Sequence, residues 1–346
     1  MMPIVKIALG LGGSLIAGLL LVFPWWYWSD SLPATGEPDE MPARSLLHES
    51  PALFPLPNAV SLPPEKVALG EQLFHDPRLS RDGSIACASC HDLAKGGTDQ
   101  AYRSKGINGA MGTLNTPTVF NSGFNFRQFW DGRAASLEDQ IDGPVQHPGE
   151  MGSAWPDVVA RLAHDDRYRA SFRSLYPGQG LTRDSIKDAI ATYERSLVTP
   201  NSRFDRYLAG DRAALAPDEA RGYRLFVDNG CVACHQGVAL GGNLYQTLGI
   251  VGNYFEDHAG EAESRAAHFG VPAHDHTKHP HRVKVPSLRN IALTAPYFHD
   301  GSARTLEDAV RIMGEYQLGR TLSDQDIRML TAFLRTLTGT YRGAPL

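Results

Sequence analysis

Two stretches of the chain carry apolar residues at intervals of three and four, the spacing that places side chains on one face of an α-helix. The first face comprises Ile186, Ile190, Tyr193 and Leu197, and the second comprises Ile327, Leu330, Leu334 and Leu337. Ser323 is the predicted N-cap of the second helix, and Gly339 is its predicted stop. No long alternating run of β-branched residues is present, so the pattern predicts a mostly α-helical fold.

A third apolar run lies near the N-terminus, from Ile4 to Trp28, and is interrupted only by Lys6. Its length and its terminal aromatic cluster suit a membrane-spanning helix. A signal peptide also begins with a basic residue and an apolar core, but no small-x-small cleavage site follows directly. We therefore expect residues 1–28 to be a transmembrane anchor, with a signal segment as the alternative, and residues 29–64 to be a Pro-rich linker.

Beyond this linker the sequence repeats itself. The repeated pairs are GEQLF (70–74) and GYRLF (222–226), PTVFN (117–121) and PSLRN (286–290), and FWDGRAASLED (129–139) and FHDGSARTLED (298–308). In the last pair Asp-Gly predicts a turn, and Ser136 or Thr305 stands three residues before an Asp, as at a helix start. Duplication predicts two domains, over residues 65–200 and 201–346.

Composition is that of an ordinary globular protein. The 346 residues are 42% hydrophobic and 21% charged, which is enough chain for two domains. The formal net charge of -5 argues against a nucleic-acid partner.

All 4 cysteines fall in two pentapeptides, CASCH at 87–91 and CVACH at 231–235. In C-x-x-C-H the two thiols bond covalently to a haem, and the imidazole ligates its iron. Zinc would need a second Cys or His pair at short range, and a thioredoxin-like redox pair is not followed by His. The sequence therefore predicts two haem c groups, held by Cys87, Cys90 and His91 and by Cys231, Cys234 and His235.

A histidine-rich stretch runs from His268 to His281. The spacing of its histidines is irregular, which is typical of a long exposed loop. A metal site there is the less favoured alternative.

The order of the motifs resembles that of the bacterial di-haem cytochrome c peroxidases. The resemblance runs from about Val67 to Gly339 and is carried by CASCH, NTPTVFN, QFWDGRA, GPVQHPGEM, CVACH, PSLRN, PYFHDG and IMGEYQLG. It implies two cytochrome-c-like haem domains that reduce hydrogen peroxide in the periplasm, with electrons from a small c-type cytochrome or a cupredoxin. A related branch oxidises tryptophans of a partner protein, and a di-haem electron carrier without catalysis is a third hypothesis. A homodimer is left open.

The same resemblance implies an electron path. His235 and Met313 would ligate the C-terminal iron, a pair that raises the reduction potential and suits electron entry. The tryptophan-oxidising branch uses a tyrosine instead, at the position of Tyr297, so Met313 favours the peroxidase. Trp130 would relay electrons between the haems, and His299 is its counterpart in the repeat.

The N-terminal haem would be the peroxide site. Glu150 stands at the family's position for the general acid-base, which must move a proton between the two peroxide oxygens. Gln140 and Pro144 align with other residues of that pocket. The resemblance also implies a calcium site between the domains, formed by Asn115 and the carbonyls of Thr294 and Pro296, and oxygen ligands of this kind suit a hard cation.

Many family members close the N-terminal iron at rest with a histidine in a loop that reads like GHGW. Here the loop is SKGINGAMGTLNTP, and alignment on NTP places Ile107 at the histidine position. Isoleucine has no lone pair, so we expect this iron to be five-coordinate or water-bound in the oxidised enzyme. Met111 or His147 as a substitute ligand is the competing expectation.

Overall fold

The computed structural model describes residues 52–257 and 282–346, and most of its regular structure is helical. The α-helices are α1 (Pro64–Phe74), α2 (Cys87–Cys90), α3 (Leu137–Gln146), α4 (Trp155–Ala163), α5 (Asp166–Leu175), α6 (Arg183–Ser196), α7 (Arg203–Leu208), α8 (Pro217–Asp228), α9 (Tyr254–Asp257), α10 (Leu306–Leu318) and α11 (Asp324–Arg335). Short 3-10 helices span Pro77–Leu79, Leu93–Lys95, Ile107–Gly109, Ser122–Phe124, Arg212–Ala214, Cys231–Ala233 and Ile291–Leu293. Two antiparallel ribbons pair β1 (Tyr245–Thr247) with β2 (Arg282–Lys284) and β3 (Thr340–Tyr341) with β4 (Ala344–Pro345).

Three of the predicted segments fall wholly or partly outside the described residues. These are the N-terminal run 1–28, the linker up to residue 51, and the histidine-rich stretch 268–281. In the part of the chain that the structure describes, no helix is long and apolar enough to cross a bilayer.

Each copy of the repeat is built around a crossing of two helices, α1 with α6 in the N-terminal half and α8 with α11 in the C-terminal half. A glycine of the repeated G-x-x-L-F motif lies at each crossing. A Cβ atom on Gly70 would collide with the carbonyl oxygen of Ala189, and one on Gly222 with that of Met329. The motif therefore serves close helix contact in both halves, as duplication predicts.

Both predicted apolar helix faces are confirmed as buried core. Ser323 caps α11 as predicted, since its Oγ accepts a hydrogen bond from the Asp326 N–H at 3.1 Å. The predicted stop at Gly339 is wrong, because α11 already ends at Arg335. Gly339 instead permits a close approach, since a Cβ atom there would collide with the carbonyl oxygen of Thr199.

The Asp-Gly turns have the same backbone in both copies. Phe129 (φ 70°) and Phe298 (φ 68°) both adopt the left-handed conformation that begins the turn. The predicted caps are also confirmed, since Ser136 and Thr305 accept from the N–H of Asp139 and Asp308, each at 3.1 Å. The repeated motif therefore sets the entry of α3 and α10.

The two halves join at the fully buried Thr199. Its Oγ1 accepts from the side-chain amide of Asn121 at 2.8 Å and from that of Asn290 at 2.9 Å. These asparagines are the last residues of the repeated PTVFN and PSLRN motifs. Both ends of the described chain also cross over, because Leu53 packs in the core of the C-terminal half and Tyr341 packs against that of the N-terminal half.

Candidate haem sites

Both C-x-x-C-H motifs are folded as a single helical turn. The histidine N–H donates to the carbonyl oxygen of the first cysteine at 3.0 Å in each motif, from His91 to Cys87 and from His235 to Cys231. This turn gathers both thiols and the imidazole on one side of the chain, as positions i, i+3 and i+4 of a helix. A phenylalanine of the repeated L-F pair lies beside each imidazole, with centroids 6.5 Å apart for Phe74 and 6.4 Å apart for Phe226.

Each imidazole makes a hydrogen-bonding contact through Nδ1, which leaves Nε2 available to ligate iron. His91 Nδ1 lies 3.2 Å from the carbonyl oxygen of Gly97, and His235 Nδ1 lies 3.2 Å from that of Leu240. An Nδ1–H that donates to a carbonyl leaves Nε2 with its lone pair, the arrangement usual for a metal-ligating histidine. Burial lowers the pKa of His91 and lowers the pKa of His235 to about 4. Both rings are therefore neutral near pH 7 and fit haem iron.

A cavity of about 300 Å³ surrounds the C-terminal motif. Cys231, Cys234 and His235 line it on one side, and Met313 of α10 lines it as well. Tyr297 also lines it, and burial raises the pKa of this phenol to about 12. The structure thus brings His235 and Met313 to one cavity, as a His/Met ligand pair requires.

Trp130 belongs to the N-terminal half but lines this same cavity. Its indole N–H donates to the carbonyl oxygen of Asn115 at 2.9 Å, and its ring meets that of His299 edge-on, with centroids 6.5 Å apart. Asn115, Thr294 and Pro296 also line the cavity, so the three predicted calcium ligands lie in one region. The amide nitrogen of Asn115 donates to Ala101 at 3.0 Å, which leaves its side-chain oxygen as the donor atom for a cation.

Two loops lie beside the N-terminal motif. The first is the hairpin 104–112, whose Ser104 lies close enough to the Cys90 thiol to lower the pKa of that thiol, against the larger effect of burial. The second is the loop 147–152, which carries Glu150 close enough for its charge to act on the same thiol. Although 50% of its side chain is exposed, burial raises the pKa of Glu150 above its ordinary value, against the opposing influence of His147 and Arg133.

These two loops are fastened to each other at Ile107. The Ile107 N–H donates to the carbonyl oxygen of Glu150 at 2.8 Å, and its side chain is 1% exposed and packs on Gly152. The two competing ligands lie differently, because the side chain of His147 is 59% exposed and Met111 is 54% exposed. The position expected to hold a histidine thus holds a buried apolar side chain, next to the Glu150 backbone.

The repeat also shows which residue of α3 corresponds to Met313 of α10. Pro144 and Met313 are each the eighth residue of their helix, α3 and α10. Proline has no atom that can ligate iron, so α3 supplies no ligand at that position. Gln140 lies half-buried one turn earlier on α3, and neither Gln140 nor Glu150 lines the cavity around Met313.

Sequence reasoning did not single out three polar residues near the motifs. Lys284 of β2 lines the cavity and is 7% exposed, and the Gln246 amide lies 3.9 Å from Cys234 Sγ. Glu194 of α6 is also 7% exposed, and its charge acts on the Cys87 thiol. Spacing offered one signal, since Glu194 follows the core residue Ile190 by four positions and so shares its helix face. Lys284 lies between two valines, and its sequence context gave no signal of a functional role.

A duplicated helical fold with a haem-attachment turn in each half defines a di-haem c-type protein. The family model described as di-haem cytochrome c peroxidase matches residues 64–213, and the cytochrome c model matches residues 219–338. Together with the relatives described next, these matches show that the chain belongs to the di-haem cytochrome c peroxidase family, which implies two haem c groups.

Named relatives support this membership. "Cytochrome c peroxidase Ccp" of Escherichia coli K12 is 45% identical over 296 residues, which are 85% of this chain and 62% of that protein. "Cytochrome c551 peroxidase" of Nitrosomonas europaea is 46% identical over 272 residues, which are 78% of this chain and 79% of that protein. Among solved structures, a "MauG-like protein associated with microbial copper homeostasis" superposes with a TM-score of 0.68 at 28% identity, covering 82% of this chain and 95% of that one.

Proposed function

We propose that the protein reduces hydrogen peroxide to water, with electrons that enter at the C-terminal haem and pass to the N-terminal haem. The observation that carries this proposal is the difference between the two copies of one helix. Met313 lines the cavity of His235, whereas Pro144 stands at the matching position of the N-terminal half. One iron then has two protein ligands, and the other keeps a free position for substrate.

The C-terminal half suits electron entry. A thioether opposite an imidazole stabilises reduced iron, so a His235/Met313 pair gives a haem that a small c-type cytochrome or a cupredoxin can reduce. Trp130 is proposed to continue the path, and its position in the lining of this cavity, on a segment of the N-terminal half, supports the proposal. Its indole is held by a hydrogen bond to Asn115, which fixes the ring without blocking its edge towards His299.

In the N-terminal half, the haem supplies reductive cleavage of the O–O bond when it is bound. The carboxylate of Glu150 takes the proton from the incoming peroxide oxygen and returns it to the departing one. Burial raises the pKa of Glu150, which makes its carboxylate a stronger base for taking that proton. Gln140, on the helix that leads into the Glu150 loop, is proposed as a further pocket residue.

The N-terminal iron is proposed to be five-coordinate or water-bound in the oxidised enzyme. Ile107 cannot ligate, and its burial against Gly152 supports a fixed apolar position. Met111 and His147 are the residues whose movement would close the site instead.

Calcium is proposed to bind at Asn115, Thr294 and Pro296. An ion there would touch the same asparagine that accepts the Trp130 hydrogen bond, so it would hold the relay tryptophan and both halves in register. We further propose a periplasmic protein whose segment 1–28 is an anchor or a signal, and we leave a homodimer open.

A second candidate function is oxidation of tryptophans on a partner protein. Tyr297, the residue at the ligand position of that branch, lines the same cavity as His235 and is 8% exposed. The superposition with a MauG-like protein is also compatible with this second function. Peroxide consumption that modifies an added protein and leaves reduced cytochrome c untouched would favour it.

The test is a steady-state peroxide assay with reduced cytochrome c, together with the spin state of the resting oxidised enzyme. We expect turnover without a lag and a high-spin haem signal that shifts on addition of cyanide. Low-spin signals alone, with a lag that pre-reduction abolishes, would contradict the free iron position. Two low-spin haems without any turnover would indicate an electron carrier.

A further inference from the structure

Lys284 is a buried cation that has no acidic counter-ion among the side chains that the structure describes. Its residue is 7% exposed, and its backbone N–H donates to the carbonyl oxygen of Trp130 at 2.8 Å. In the described residues no carboxylate lies within ion-pair distance of its Nζ. A buried charge without a partner is costly, so a partner is expected in the bound protein.

The other buried basic residues of the described chain show the usual solution. Lys187 lies 2.6 Å from a carboxylate oxygen of Asp142, and Arg289 lies 2.7 Å from one of Asp205. Lys284 differs from both because it lines the cavity that also holds Cys231 and His235. Burial alone shifts the pKa of Lys284, lowering it to about 8, with no acidic group opposing the shift.

We propose that the Lys284 ammonium pairs with a propionate carboxylate of the C-terminal haem. Haem is the group that family membership assigns to this cavity, and its propionates are the anions that it brings. The pair makes Lys284 a positioning residue that lies directly beside the relay tryptophan, through the backbone bond to Trp130. This inference rests on a haem at Cys231 and Cys234, and it does not depend on peroxide turnover.

A positive charge at this place stabilises the reduced haem, because reduction adds an electron. Removing the charge therefore lowers the reduction potential of the C-terminal haem. Arginine keeps the charge and retains the effect. The surface residue Lys95, whose side chain is 51% exposed, offers a matched control.

The experiment is spectroelectrochemical titration of the holoprotein and of three variants, with haem content measured as the pyridine haemochrome. We expect Lys284→Met to shift the reduction equilibrium of the His/Met haem about tenfold towards the oxidised form, which is about 59 mV for one electron. Lys284→Arg and Lys95→Met should keep the wild-type potential. Two haems per chain with an unchanged potential in Lys284→Met would overturn the pairing.

Thermal unfolding gives a second readout with a defined sign. If Lys284 has no counter-ion, Lys284→Met removes an unfavourable buried charge and stabilises the holoprotein, which would overturn the proposal. If it pairs with a propionate, the variant leaves that carboxylate unpaired and lowers the melting temperature. Should Lys284→Met load only one haem, recovery of the second in Lys284→Arg supports the pairing, and failure to recover it counts against it. A lack of peroxide turnover together with the expected potentials would contradict the proposed function and would leave the pairing of Lys284 supported.

Discussion

Segments 128–146 and 297–318 follow the same backbone course, yet they present different side chains to their surroundings. Both begin with a left-handed phenylalanine, continue through an Asp-Gly turn and start a capped helix. The first then presents Trp130 and Pro144, where the second presents His299 and Met313. The comparison teaches that duplication preserved the backbone while single positions changed. We propose that these positions determine which iron has two protein ligands and which keeps a free position.

The largest expected effect concerns Glu150, the proposed acid-base of the N-terminal half. Glu150→Gln should keep both haems and lower peroxide turnover by about two to four orders of magnitude, the usual worth of a positioned acid-base. Glu65→Gln, at an exposed glutamate of α1, is the control and should keep full activity. Steady-state kinetics with reduced cytochrome c decide, and retained activity in Glu150→Gln would remove this residue from the mechanism.

Installing the C-terminal ligand in the N-terminal half would break the comparison directly. Pro144→Met should place a thioether at the repeat position of Met313, turn the high-spin signal low-spin and close the peroxide site. A ligand bound in 99 of 100 molecules would weaken apparent peroxide affinity about a hundredfold. Pro144→Ala, which lacks the sulfur, should stay high-spin; the same spectral change in both variants would rule out ligation by the new methionine.

A substitution of Met313 tests the ligand of the C-terminal haem. Met313→His should lower the potential of that haem and disfavour its reduction at least about tenfold, since a thioether stabilises reduced iron better than a second imidazole. Redox titration and stopped-flow reduction by the donor provide the measurement. An unchanged potential would mean that the sixth ligand is another residue, with Tyr297 the first to examine.

A smaller effect is expected at the relay position. Trp130→Phe should leave peroxide binding intact and slow electron arrival at the N-terminal haem, by less than the loss expected for Glu150→Gln. His299→Phe, at the counterpart in the repeat, is the matched comparison. Pre-steady-state transfer between haems that is equally fast in Trp130→Phe would exclude the relay.

Part of this architecture could be predicted from local sequence. The caps at Ser136, Thr305 and Ser323 were correct because a cap depends on residues within one turn. The predicted helix stop at Gly339 was wrong. A glycine is needed there because the carbonyl oxygen of Thr199, which is distant in sequence, approaches it closely. The residues next to a position in the sequence do not tell which groups from distant parts of the chain approach it in the fold. The buried Lys284 was missed for the same reason.

An effect on stability rather than on turnover is expected at Glu194, whose Oε2 has no hydrogen-bond partner among the described residues. Burial raises the pKa of Glu194 to about 8, above the ordinary 4.5 of an exposed glutamate. The folded state therefore holds this proton more tightly, so the stability that Glu194 contributes is greatest below pH 4.5 and is lost as the pH rises towards 8. The slope contributed by this group is at most about 1.4 kcal/mol per pH unit.

Thermal unfolding of the holoprotein from pH 5 to pH 8 measures this slope. Glu194→Gln, which cannot ionise, should flatten it relative to the wild type. Glu138→Gln, at the partner of Arg195, removes an ion pair on the neighbouring surface and should leave the decline with pH in place. An equally steep decline in Glu194→Gln would show that another group titrates.

The hydroxyl of Thr199 has a consequence for how electrons travel. Two asparagines, one from each half, share this one buried oxygen, so the halves meet at a fixed point rather than across a hinge. Separate domains usually move relative to each other unless their interface restrains them. If electrons pass between the halves as proposed, the distance that they must tunnel is set as the chain folds, and no closure is needed before each transfer.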